Sequence, residues 1–94
     1  MTLGSTPRVS ALVVCKDARA SIRRCVESLL AQDHPRLEIV VQDGVSTDGT
    51  LEVLRSYGDR IDLVSEPDRD QNDAFVRGLA RCRGEIVGFC WADE

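Results

Sequence analysis

The chain of 94 residues suffices for one small domain and leaves no room for two, since independent domains run from about 50 to 200 residues. Its composition, 43% hydrophobic and 30% charged, excludes a disordered or fibrous protein. The net charge of -4, with Lys16 the single lysine among 12 basic residues, argues against a nucleic-acid partner, whose phosphates select a basic face.

Val9 to Val14, "VSALVV", is a β-branched run of the kind buried on both faces of a parallel sheet, and gives the first strand. From Ala18 to Gln32, Ile22, Cys25 or Val26, Leu29 and Leu30 recur at helical spacing with Arg19, Arg23, Arg24 and Glu27 between them. That pattern predicts an amphipathic helix ending before Pro35. Leu37 to Val41, "LEIVV", is the second strand. Ser46, Thr47 and Asp48 then offer N-caps for a helix carrying Leu51, Leu54 and Tyr57 and closed by Gly58. Ile61 to Ser65 gives a third strand, and Gln71 to Arg83 a third helix with Phe75, Leu79 and Cys82 turned inward. Gly84 ends it, and Glu85 to Cys90, "EIVGFC", is the fourth strand.

The order βαβαβαβ with short connections specifies an α/β fold of parallel strands joined by right-handed crossovers. In such open sheets, ligands sit beyond the carboxyl ends of the strands. Here those ends read Cys15-Lys16-Asp17, Gln42-Asp43-Gly44, Glu66-Pro67-Asp68-Arg69-Asp70 and Trp91-Ala92-Asp93-Glu94. Acids follow all four strands. Carboxylates gathered along one edge suit a hard divalent cation, Mn²⁺ or Mg²⁺, and such a cation bridges the oxygens of a nucleoside diphosphate. Asp43 at a strand tip can also accept from a base N–H or a ribose hydroxyl, and Gly44 leaves room for that approach.

Other signals are weaker. Cys15, Cys25, Cys82 and Cys90 form no CxxC pair and read as small apolar core residues. His34 reads as an exposed loop residue beside Pro35. No GxxxxGK[ST] or GxGxxG follows the first strand, so phosphates would be held through metal and arginine. No apolar run approaches the roughly 20 residues of a membrane span. A cytoplasmic setting is the expectation, with any membrane association made through partners or segments outside the chain.

The stretches "ALVVCKDARASIRRCVESLLAQ", "LEIVVQDGVSTDGTLEVL" and "SEPDRDQNDAFVRGLARCRGEIVGFCWADE" together resemble the family 2 glycosyltransferases of GT-A fold, from Val9 to the last residue. The resemblance implies transfer of a sugar from a nucleotide-sugar donor, UDP-linked in most relatives, with inversion at the anomeric carbon. By that resemblance Cys15 and Asp17 line the base pocket, Asp43 and Gly44 meet the nucleoside, Asp68 and Arg69 stand in the donor site, and Asp73 lies beside it. Asp93 and Glu94 look like the metal-binding acids of the DXD-type motif.

Three departures stand out. Gln42 replaces a frequent acid, Trp91 stands where an acid or amide is common, and Glu94 where Asp is commoner. In this family the acceptor half and the catalytic base lie further along, so no catalytic residue is identified here. The expected organisation is a disordered tail over 1–8 and a donor-binding half over 9–94, cut at the DXD-type motif, with self-association through the uncovered sheet edge. The alternative function is a non-catalytic nucleotide-binding or interaction module of the same fold.

Overall fold

The structure, a computed structural model, describes residues 7–32 and 34–92. Four strands, β1 (Val9–Cys15), β2 (Leu37–Asp43), β3 (Asp62–Ser65) and β4 (Ile86–Ala92), alternate with three helices, α1 (Arg19–Leu30), α2 (Thr50–Arg55) and α3 (Gln71–Arg81). All strand pairs are parallel, in the order β3-β2-β1-β4. The chain therefore steps outward from β1 to β2 to β3, then returns across the sheet to pair β4 with the free side of β1. Because each crossover is right-handed, reversing the direction of travel moves the connecting helix to the other face. α1 and α2 cover one side and α3 the other, which makes three layers.

The burial pattern follows from the two-residue period of the strands. Val13 and Cys15 of β1 join Ile39 and Val41 of β2 in one cluster with Ile22 and Val26 of α1 and with Leu54, Tyr57 and Ile61. Leu12, Val14 and Val40 face the opposite way onto Ala74, with Phe75 and Cys82 at the margin. Both faces of β1 are thus buried, as its unbroken apolar run demands.

α3 approaches the sheet closely because its inner stripe is small. Ala74 and Gly78 are its buried residues. A β-carbon at Gly78 would stand 2.5 Å from Leu12 Cδ1 and 3.2 Å from Gln42 Cβ. Leu79, expected to face inward, is 40% exposed. One residue is a 100° turn of the helix, and a stripe through Ala74, Gly78 and Cys82 leaves Leu79 on its flank.

Element ends also differ from expectation. β1 and β2 continue to Cys15 and Asp43, which are paired in register, so both are strand residues and not loop residues. α2 stops at Arg55, and Gly58, with φ 61°, opens a separate 3-10 turn at Gly58–Arg60. α3 stops at Arg81 and not at Arg83. Arg8, assigned to the tail, is already anchored: its carbonyl accepts from Glu85 N at 2.8 Å and Ile86 N at 3.3 Å. His34 is half-buried, and its Nδ1 accepts from Arg36 N at 3.1 Å.

Candidate functional site

At the carboxyl edge of the sheet, the loop after β1 and the loop after β2 are laced together. Asp17 N donates to Ser46 Oγ at 2.8 Å, and Thr47 N returns a bond to Asp17 Oδ1 at 2.8 Å. Ala18 N donates to Thr50 Oγ1 at 2.9 Å, and Arg19 N to Asp48 Oδ2 at 3.1 Å. The second loop so supplies acceptors to orphan donors at the start of α1, which has no side-chain cap of its own. Asp48 also accepts from Thr50 N at 3.0 Å. It serves the start of α2 as its sequence suggested, although the formal N-cap position is Gly49, at φ 101°. The Thr50 and Arg19 bonds hold the Asp48 carboxyl below its usual range.

Two residues of these loops, Asp17 (φ 51°) and Val45 (φ 61°), adopt left-handed backbone conformations. For a β-branched valine this costs about 1–2 kcal/mol. Such strain persists where surrounding structure dictates it, commonly at ligand sites.

Beneath the loops lies Asp43, with no exposed surface. Its Oδ1 accepts from Ser46 Oγ and, at 3.4 Å, from Cys15 Sγ. Its Oδ2 accepts from Ser46 N at 3.0 Å and Ser65 Oγ at 2.8 Å. Burial, then the adjacent Asp43 carboxylate, pushes the Cys15 thiol far up. The sequence expectation put both side chains against the nucleoside. The structure places them under the site, with every carboxylate oxygen of Asp43 engaged inside the protein. Asp43 joins β1, β2 and β3 and fixes the Ser46 turn.

Next to Asp43 lies Gly44, itself buried. A β-carbon there would stand 2.6 Å from Asp68 Oδ2 and 3.4 Å from Lys16 Cδ. Asp68, half-buried, and Lys16, exposed, therefore lie over the glycine. Neither is held by a hydrogen bond or ion pair among the described residues. Lys16 was not among the expected site residues, although its place directly after β1 marked it. Next to this point, Asp17, Arg19, Ala20, Thr47 and Asp48 line an open depression of about 750 Å³.

Arg69 and Asp73 stand further out. Arg69 is 89% exposed, and its guanidinium lies 3.9 Å from Asp73. Asp73 is part of the start of α3: it accepts from Arg69 N at 3.0 Å while Asp70, the N-cap, accepts from Asp73 N at 2.9 Å. The two bonds satisfy two donors at the helix start, with the Asp73 side chain reaching one residue past the N-cap, and the Arg69 bond draws the Asp73 carboxyl below its usual range. The signal was present in the sequence as Asp70 followed three residues later by Asp73.

Gln42, one of the departures noted above, has a structural partner set. Its Nε2 donates to Glu66 Oε1 at 2.8 Å, while its Oε1 accepts from Arg81 Nη2 at 3.1 Å. Arg81 also donates to Val41 O at 2.7 Å and pairs with Asp62 at 2.9 Å. An acid at 42 would face Glu66 with no proton to share. The amide is the group that can donate one way and accept the other.

Asp93 and Glu94, the expected metal ligands, lie outside the described residues. Among the described residues no group of three His, Cys, Asp or Glu side chains is placed to hold a metal ion. The acids after β1, β2 and β3 do converge on one edge, but Asp17, Asp43 and Asp48 are committed to backbone and hydroxyl donors.

The structure is a three-layer α/β domain of parallel strands, a class whose ligands sit at the carboxyl ends of the strands. The chain belongs to glycosyl transferase family 2, whose family model matches residues 10–94. It is 35% identical over 92 residues to the putative teichuronic acid biosynthesis glycosyltransferase TuaG of Bacillus subtilis, covering 94% of this chain and 36% of that protein. It is 31% identical over 96 residues to the chondroitin synthase of Escherichia coli, covering 99% and 14%. Among solved structures it matches the mannosyltransferase PcManGT from Pyrobaculum calidifontis, in complex with GDP-Man and Mn²⁺. The TM-score is 0.83 and the identity 31%, over 95% of this chain and 28% of that one. The glucosyl-3-phosphoglycerate synthase of Mycobacterium tuberculosis, solved with Mn²⁺, UDP and glucosyl-3-phosphoglycerate, matches with a TM-score of 0.76 and 26% identity. That match covers 92% of this chain and 33% of the synthase. The chain thus has the GT-A fold and spans about a third or less of the relatives it matches. No helix among the described residues is long and apolar enough to cross a membrane.

Proposed function

We propose that this chain is the donor-binding half of a metal-dependent, inverting glycosyltransferase. It would hold a nucleotide-diphospho-sugar, UDP-linked in preference, while the acceptor hydroxyl displaces the diphosphate at the anomeric carbon. The observation that carries the proposal is the pair Lys16 and Asp68 over Gly44, at the carboxyl edge where the strand order reverses at β1. The solved relatives bound to GDP-Man or UDP together with Mn²⁺ support the same chemistry.

In this reading Gly44 lets Asp68 and Lys16 close over the backbone, Asp17 and Asp68 offer acceptors to the base or ribose of the nucleotide, and Lys16 and Arg69 supply positive charge toward the diphosphate. Cys15 and Asp43 hold those groups in place from below, and Asp73 fixes the loop that carries Arg69. Asp93 and Glu94 would hold Mn²⁺ or Mg²⁺, which when bound offsets the charge of the departing diphosphate. A general base must stand within hydrogen-bond reach of the acceptor hydroxyl, and no residue of this chain is assigned that role. The departure at Gln42 gives no support to a chemically dead module, because the Glu66 and Arg81 bonds account for the amide.

The deciding experiment is calorimetric titration with UDP and with GDP, each with and without Mn²⁺, on the parent chain and on Asp68→Ala and Asp93→Ala. Metal-dependent binding of one nucleotide, weakened at least tenfold in both variants, is expected. A folded chain that binds neither nucleotide at millimolar concentration overturns the proposal.

A further inference from the structure

The four cysteines show no pairing in sequence, yet the fold brings two of them together. Cys25 on α1 and Cys90 on β4 place their sulfurs 3.0 Å apart, across 65 residues of chain. Neither is in a disulfide, and both are half-buried at the rim of the α1-side core cluster. The other two are engaged elsewhere: Cys15 Sγ donates to Asp43, and Cys82 Sγ donates to Gly78 O at 3.5 Å. Cys90 also lines a groove of about 310 Å³ with Val9, Leu29, Leu37 and Phe89.

We infer that Cys25 and Cys90 form an oxidisable dithiol, a modification site at which a small-molecule disulfide is reduced while an intramolecular bond ties α1 to the edge strand β4. One protein thiolate attacks a sulfur of the small disulfide, releasing one small thiolate and leaving a mixed disulfide. The second protein thiolate then attacks the protein sulfur of that adduct and releases the other small thiolate. Two thiols lose two protons and two electrons; the reagent gains both and becomes two thiols. Closing the pair from 3.0 Å to a bond of about 2.05 Å asks for a shift of about 1 Å, within the reach of side-chain rotation. Burial, together with the Cys90 sulfur beside it, pushes the Cys25 thiol up to about 12. Cys25 is therefore protonated at neutral pH, and its attack on a small disulfide, which needs the thiolate, accelerates as the medium becomes more alkaline.

β4 is one of the sheet's two edge strands, hydrogen-bonded to β1 alone among the described strands, so a covalent tie to α1 restrains a sheet edge. The inference is independent of any donor sugar.

The test treats the full chain with oxidised glutathione, alkylates remaining thiols, and maps peptides without reduction. A Cys25–Cys90 cross-linked peptide is expected, with Cys15 and Cys82 alkylated, and with the parent peptides restored by dithiothreitol. Oxidation should also raise the Tm of the parent and not that of Cys25→Ser. The inference is overturned if Cys25 and Cys90 are recovered alkylated or singly glutathionylated while circular dichroism reports a folded chain. A bond to Cys15 or Cys82, or a cross-link persisting in Cys25→Ser, overturns it equally.

Discussion

Asp43 shows how one side chain can look like a ligand contact in sequence and act as a keystone in space. An acid at the end of a strand and before a glycine has the chemistry to meet a nucleoside. In the fold, its two oxygens collect donors from Cys15, Ser46 and Ser65 and have no exposed surface. Removing the carboxylate leaves several buried donors without acceptors, at about 1–3 kcal/mol for each that water cannot reach. Asp43→Ala is therefore expected to lose at least about 3 kcal/mol of unfolding free energy in a urea titration. Asp68→Ala, which removes a half-buried group with no partner among the described residues, should stay close to the parent. Equal losses in the two variants would show that Asp43 does not organise the edge.

At the scale of elements, the amino-terminal edge of the sheet is held by a second carboxylate. Glu38 of β2 accepts from Ser10 Oγ of β1 at 2.5 Å and from Arg83 N, between α3 and β4, at 2.6 Å. Close beside it, Gly84 packs against Ser10: a β-carbon there would stand 2.6 Å from Ser10 N. Burial pushes the Glu38 carboxyl up, but the Ser10 and Arg83 bonds outweigh it and hold the group below its usual range. A carboxyl with a depressed folded value contributes stability above the unfolded range, about pH 4.3, and loses it as pH falls through the folded value. Glu38→Gln should thus be less stable than the parent at pH 7. The gap should narrow below about pH 4.3. Tm measured against pH checks this, and a gap that does not change with pH would assign the loss to packing.

For the whole molecule, the uneven cover of the sheet has consequences. α1, α2 and α3 bury β1 and β2, whereas β4 leaves Ile86 53%, Val87 36% and Phe89 56% exposed, and Val76 and Leu79 of α3 add 62% and 40%. Phe89 meets Phe75 edge to face at 5.2 Å between ring centroids. An edge strand with open backbone groups beside apolar side chains favours pairing with another copy. Light scattering during size-exclusion chromatography should show a mass that rises with concentration. Phe89→Lys should return it to a monomer, and a concentration-independent monomer in the parent would refute the expectation.

Periodicity and turn residues determined the element order and, with it, a parallel α/β sheet. That much is local information, because hydrophobic spacing and glycine positions are properties of short windows. The same windows misjudged Leu79, since which flank of a helix meets the sheet depends on how small its closest residues are, here Ala74 and Gly78. They also ended β1 at Val14 and β2 at Val41, whereas pairing of Cys15 with Asp43 extends both strands, and both side chains are buried. Lys16 and Asp68 over Gly44, the amide bridge of Gln42, and the meeting of Cys25 with Cys90 join residues far apart in the chain. Contacts of that kind have no signature in any one segment, and only the packing of the three layers decides them.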